Sequence, residues 1–187
     1  MTAAVLKTLP LMIALAGGVG ADVLAEDVTR TGPLQPHWSE VKWPFPIDEW
    51  GTGRAFRCGA DACGVNVNLY LRPKLGFCNC AKGVYDDAEL DRVGDVALVG
   101  PQFSSLGKGQ PVTVGWMKGR SRAFMVTGPY QPSGSAAAIA FNDKCDVVIA
   151  TVTADGNLSR GEREALKFLN TDLVLRWAHA ELGSDGS

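Results

Sequence analysis

The chain has 187 residues, a net charge of −2 and 46% hydrophobic residues. That apolar content suffices for a core and excludes a disordered chain, and the small net charge gives no electrostatic pull toward nucleic acid. Once an N-terminal leader is set aside, the length suits one domain.

Residues 1–25 read as a secretory signal peptide. Lys7 supplies the positive start, and "TLPLMIALAGGVG" is an apolar stretch too short to span a bilayer. Small-residue cleavage frames precede Asp22 and Glu26. The second is preferred because Val23 and Ala25 fit the small-x-small rule. Pro10 and the glycines make a poor anchor helix, and no later segment is apolar enough to span. The expected address is the periplasm or the cell exterior, where thiols pair.

Residues 26–50 form an expected N-terminal arm, rich in Pro and Trp. Pro44 and Pro46 keep it extended. Trp38, Trp43, Phe45 and Trp50 either pin it across the domain or present an aromatic recognition surface. Residues 51–183 read as one domain, and 184–187 as a frayed tail.

The domain begins with "RAFRCGADACGVNVNLYLR", expected to be a hairpin turning at "GADA". In that register Cys58 faces Cys63 and Phe56 faces Val65. "RPKLG" reads as a turn and "FCNCA" as a short strand. "DDAELDRVG" reads as a brief helix capped by Asp86, with Glu89 at the capping-box position. "VALVG" reads as a strand. "QPVTVGWMKGRSRAFMVT" is expected to be a hairpin about Gly119-Arg120, placing Met125 opposite Val114. "GPYQPSGS" is a loop, and "AAAIAFNDKCDVVIATVT" a hairpin turning at 142–144. Two helices close the chain, the first capped by Ser159 with Glu162, with a break at Asn170. Leu166, Leu169, Leu173 and Trp177 lie at helical spacing for packing.

The five cysteines leave an odd thiol. Cys58–Cys63 is the expected hairpin bridge. Cys78 and Cys80 would share a strand face at a spacing beyond comfortable disulfide geometry, so one of them should bridge Cys145. The competing use of Cys78, Cys80 and Cys145 is a soft-metal site for copper or a redox relay. C-x-x-C is absent, so thioredoxin-type, haem and paired zinc readings fail.

Other motifs are weak. Residues 151–162 match the second half of a calcium loop, but Thr151 and Thr153 stand where carboxylates are needed. His37 and His179 sit beside no nucleophile motif. Charge is uneven: residues 51–82 hold five basic against one acidic, and 106–127 four basic against none. Residues 83–99 reverse this, with five acidic against one basic. Arg54, Arg57, Arg72, Lys74, Lys118, Arg120 and Arg122 lie near hairpin ends, and if those ends cluster they form a basic rim.

The sequence therefore predicts an α+β fold: a mainly antiparallel sheet of hairpins, C-terminal helices on one face and an extended aromatic arm. It predicts an exported, disulfide-stabilised, non-catalytic interaction protein. Its partner is another periplasmic or membrane-associated protein, met through Trp38, Trp43, Trp50, Arg120 and Arg122. No cofactor is expected on that reading, and copper is the cofactor of the alternative.

Overall fold

The computed structural model of the protein describes residues 37–128 and 131–183. The expected signal peptide, the arm before His37 and the tail at 184–187 lie outside the described residues. Eight strands form one antiparallel sheet. They are β1 (Trp38–Val41), β2 (Arg54–Cys58), β3 (Val67–Lys74), β4 (Gln102–Ser105), β5 (Gln110–Val114), β6 (Met117–Gly128), β7 (Gln131–Asp143) and β8 (Asp146–Ala154). Their order is β1-β2-β3-β8-β7-β6-β4, with β5 also on β6. Helices α1 (Ala60–Cys63), α2 (Asp87–Val93), α3 (Leu158–Leu169) and α4 (Asp172–Leu182) complete the architecture.

Side chains alternate across a strand, so β7 divides its run of small residues between two layers. Ala137, Ile139 and Phe141 join Phe56, Leu69, Val148, Val152, Phe168, Leu169, Val174 and Ala178 in one buried cluster, which includes α3 and α4. Ala136, Ala138 and Ala140 join Val147, Ile149, Leu90, Val93, Val96 and Phe45 in a second, which includes α2. Both faces of the central strands are therefore covered. Fully buried Phe56, Phe141 and Leu69 each contribute about 1.5–3 kcal/mol through burial.

Of the three expected hairpins, the first two differ from the observed ones in register, and the third turns at Lys144-Cys145 because Asn142 and Asp143 still belong to β7 and pair with β8. Cys58 pairs with Val67 and Phe56 with Leu69, because α1 fills the connection in place of a tight turn. The second hairpin turns at Gly115-Trp116, with Val114 opposite Met117. Gly115 has φ 58°, the left-handed conformation that a Gly-first turn demands. Gly119 instead sits inside β6, where a Cβ would come within 2.0 Å of the Ala140 carbonyl oxygen. It is needed for close approach of β6 to β7 and not for a bend.

Other expectations are corrected as well, and β7 begins at Gln131, inside the expected loop 128–135. Residues 76–83 form no strand, and "RPKLG" enters β3 as far as Lys74. Val96–Leu98 is a short 3-10 turn. α3 is capped by Asn157, whose side chain accepts from the Arg160 N–H at 3.0 Å, while Glu162 accepts from the Ser121 hydroxyl. Along α4 the inward positions are Val174, Ala178 and Leu182, and Leu173 is exposed. Asp86 caps α2 as expected, accepting from the Glu89 N–H at 2.8 Å.

Among the described residues, no helix is long and apolar enough to cross a membrane.

Candidate functional site

β3 sends its even-numbered side chains toward the α2 layer, and the last two are Arg72 and Lys74. β8 pairs with β3 along its whole length, while β2 ends at Arg54 opposite Leu71, and the two cations are 2% and 4% exposed. Burying charge is costly unless it is paired. The pairing comes from Asp95, at the end of α2. Its carboxylate accepts from Arg72 Nε at 3.0 Å and Nη2 at 2.9 Å, and lies 2.7 Å from Lys74 Nζ. Lys74 also donates to the Val93 carbonyl at 2.8 Å.

The outer edge of the Arg72 guanidinium meets the arm. Its Nη1 lies 2.6 and 2.7 Å from the two carboxylate oxygens of Asp48. Asp48 belongs to a tight turn closed by the Gly51 N–H to the Asp48 carbonyl, 2.9 Å. The hydrogen bond from Arg72 holds the Asp48 carboxyl below the usual carboxylate range. Burial works against charge on Arg72, but the bonds to Asp95 and Asp48 outweigh it and raise its pKa.

Beside these ions lies a cleft of about 360 Å³, walled by Trp50, Phe77, Ala97 and Leu98. Trp50 and Phe77 pack at 4.5 Å between ring centroids, and Lys74 Nζ lies 5.3 Å from each. The cleft lining holds no hydroxyl, thiol or imidazole. It sets buried charges beside flat apolar walls.

The cysteine loop adjoins this cleft through Phe77. The Phe77 carbonyl accepts from Arg92 Nη2 at 2.6 Å, and the Asn79 N–H donates to Glu89 at 2.9 Å. The tip of the β7–β8 hairpin holds the same loop. Gly76 N–H donates to Asp146, Cys78 N–H to the Cys145 carbonyl and Val84 N–H to Asn142, at 2.6, 3.0 and 3.0 Å. These side-chain and turn contacts replace the strand expected at "FCNCA". Cys80 is exposed and bonded to Cys145, whereas Cys78 points inward and is 6% exposed. The two do not share a face. Cys58 is bonded to Cys63 with a Cα–Cα distance of 6.0 Å, across the helical turn α1.

Cys78 is the free thiol among the described residues. Its Sγ lies 3.3 Å from the Lys144 carbonyl. Burial, with Glu89 and Asp146 nearby, pushes its pKa up to about 11. Thiolate is the reactive form, so Cys78 is expected to resist alkylation at pH 8 in the native protein and to react within minutes in denaturant. Mass measurement after iodoacetamide treatment checks this. Rapid native labelling would show that the loop opens.

The proposed contact residues are placed as follows. Trp38 stacks on Phe168 at 4.7 Å, and Trp43 packs edge-on to Phe45 at 5.3 Å and Tyr70 at 6.2 Å. Both are used inward, and Trp50 is the arm tryptophan that lines the cleft. Arg120 pairs with Asp87 and donates to the Gly109 carbonyl at 2.9 Å. Arg122 pairs with Asp91 at 2.6 Å and donates to the Gly107 carbonyl at 2.7 Å. The acidic run 83–99 therefore answers both basic runs, through Asp95 on one side and Asp87 with Asp91 on the other. Arg120 and Arg122, the two members of the expected basic rim put forward for contact, are both paired with acids of the same chain. The sequence does not single out Asp48 and Asp95, and it places Arg72 and Lys74 only as members of the basic rim. The available signal was two cations at alternate positions of a strand otherwise patterned for burial.

Among the described residues, no three His, Cys, Asp or Glu side chains are grouped to hold a metal ion. No family model matches the chain, and no curated protein matches it.

Proposed function

We propose that the protein is an exported, disulfide-stabilised interaction protein that works by binding and not by catalysis, and that its contact site is the ionic cleft beneath the arm turn. Two disulfides are compatible with export into an oxidising compartment. The observation that supports binding is the cleft itself. It joins a buried ion cluster to two aromatic walls, and Asp48, Arg72, Lys74 and Asp95 of its lining are engaged with one another. A buried ion cluster adds little net stability compared with packed apolar side chains, so a role in recognition accounts for it better.

The test is site-specific photocrosslinking in the producing cell. A photoreactive residue at exposed Glu49, beside the cleft, should give a discrete adduct with a protein partner. The same residue at Lys118, across the sheet, should give none. No adduct from Glu49, or equal adducts from both, would reject the reading.

The alternative is a copper or redox protein using Cys78, Cys80 and Cys145. The Cys145 contacts that hold Cys78 and Cys80 beside it support that reading. It requires the Cys80–Cys145 bond to be reduced, since copper(I) is taken by free thiolates. Metal analysis of the reduced protein separates the two.

A further inference from the structure

The ion cluster is unbalanced within the body of the protein. Arg72 and Lys74 carry two positive charges, and Asp95 answers one of them. The remaining charge faces the cleft at Arg72 Nη1. A carboxylate must stand there, and Asp48 supplies it from the arm. Yet Asp48 is the exposed member of the set. Its side chain is 34% exposed, against 3% for Arg72 and 8% for Asp95.

The arm is firmly anchored on either side of this turn. Phe45 is buried, and at Gly53 a Cβ would come within 2.0 Å of the Leu71 carbonyl oxygen. Between them, residues 46–52 form a flap with Ile47 76% exposed at its crest. The flap is held down by the Asp48–Arg72 pair, and by Trp50 against Phe77 and Lys74. These contacts are separate from the packing of Phe45 and from the approach of Gly53 to Leu71.

We infer that the cleft takes a carboxylate carried beside an apolar group, as at the end of a peptide chain, and that Asp48 occupies the carboxylate position while the site is closed. This inference rests on the cleft being the contact site. The incoming carboxylate would replace Asp48 at Arg72 Nη1, keeping the charge balance of the cluster. Its apolar neighbour would lie against Phe77, taking the place that Trp50 fills while the flap is down. A tethered competitor acts at an effective concentration of about millimolar, so Asp48 makes the site respond only to ligands that outcompete it.

The test uses the full chain and calorimetric titration with N-acetyl-phenylalanine, its amide N-acetyl-phenylalaninamide, and acetate. The wild type should bind the acid in preference to the amide. Asp48→Ala should bind the acid at least tenfold tighter than the wild type, with no gain for the amide. Asp48→Asn keeps the shape and a hydrogen-bond acceptor for Arg72, and should shift the same way by a smaller factor. Acetate should bind at least tenfold more weakly than the acid, since it lacks the group that meets the aromatic walls. Equal binding of acid and amide by the wild type would overturn the inference, as would folded variants with no gain for the acid. A crosslink at Glu49 without acid preference would leave the interaction reading standing and remove this one.

Discussion

Asp95→Ala should be among the most damaging single substitutions in the protein, lowering stability by about 3–5 kcal/mol. Asp95 is the shared carboxylate of Arg72 and Lys74, and all three side chains are at most 8% exposed. Removing it leaves two cations buried with Asp48 alone as partner, at the outer edge of Arg72. Desolvated like charges then repel with no compensation. The measurement is the urea midpoint, which should fall by about 2 M for a slope of about 2 kcal/mol/M. Arg54→Ala is the contrast. Its pair with Glu40 spans 2.6 Å, but the side chains are 24% and 50% exposed, so the pair itself contributes at most about 1 kcal/mol. Equal midpoint shifts from the two substitutions would show that water reaches the Asp95 cluster.

Cys145→Ser should lower stability by about 2–4 kcal/mol while leaving the fold intact. The bond it removes spans 65 residues, so it restricts the unfolded chain over a long loop. The native cost is limited because the loop keeps its other ties. Gly76, Cys78 and Val84 still donate to the hairpin tip, and Glu89 and Arg92 still hold Asn79 and Phe77. Opening the Cys58–Cys63 bond, which spans 5 residues, should cost less. Thermal unfolding of Cys145→Ser and Cys63→Ser under matched conditions checks the order. A larger loss from Cys63→Ser would mean that α1 depends on its bridge for structure.

The antiparallel sheet, the β7–β8 hairpin and the closing helices were legible in the sequence because their signals are local and repeated. The two register differences have a shared cause. Phe56 faces Leu69 where Val65 was expected, a shift of four residues. Val114 faces Met117 where Met125 was expected, a shift of eight. Even shifts keep every side chain on the same sheet face, so hydrophobic alternation is satisfied by either register. In the second hairpin, "GW" and "GR" both offer Gly-first turns. What selects between them is Gly119 lying against Ala140, a contact that only β7 provides.

The site was less legible, and for a different reason. The runs of opposite charge were visible, but which acid meets which base depends on how α2 and its flanks lie across the sheet. Asp95 reaches β3, while Asp87 and Asp91 reach β6. Composition counts the charges and is blind to that folding back. The arm tryptophans raised the same difficulty. All are aromatic in an extended segment, and only the packing of Trp38 on Phe168 and Trp43 on Tyr70 separates them from Trp50 at the cleft.

The pairing of β3 with β8 sets an order on assembly during synthesis. Residues 67–74 emerge from the ribosome well before residues 147–154, which provide their inner neighbour. Elongation at about 5–20 residues per second leaves that strand edge unpaired for several seconds. Cys58, Cys63, Cys78 and Cys80 all precede Cys145, which follows Cys80 by 65 residues. In an oxidising compartment the four earlier thiols can cross-pair before Cys145 is in place. The short Cys58–Cys63 loop closes first and takes two of them out of play. The late hairpin then does two things at one stroke. It delivers Cys145 to Cys80, and it covers Cys78 with the Lys144 carbonyl. The hairpin that completes the long bond is thus also the one that shelters the remaining thiol, so the bond and its protection from exchange come from one piece of chain.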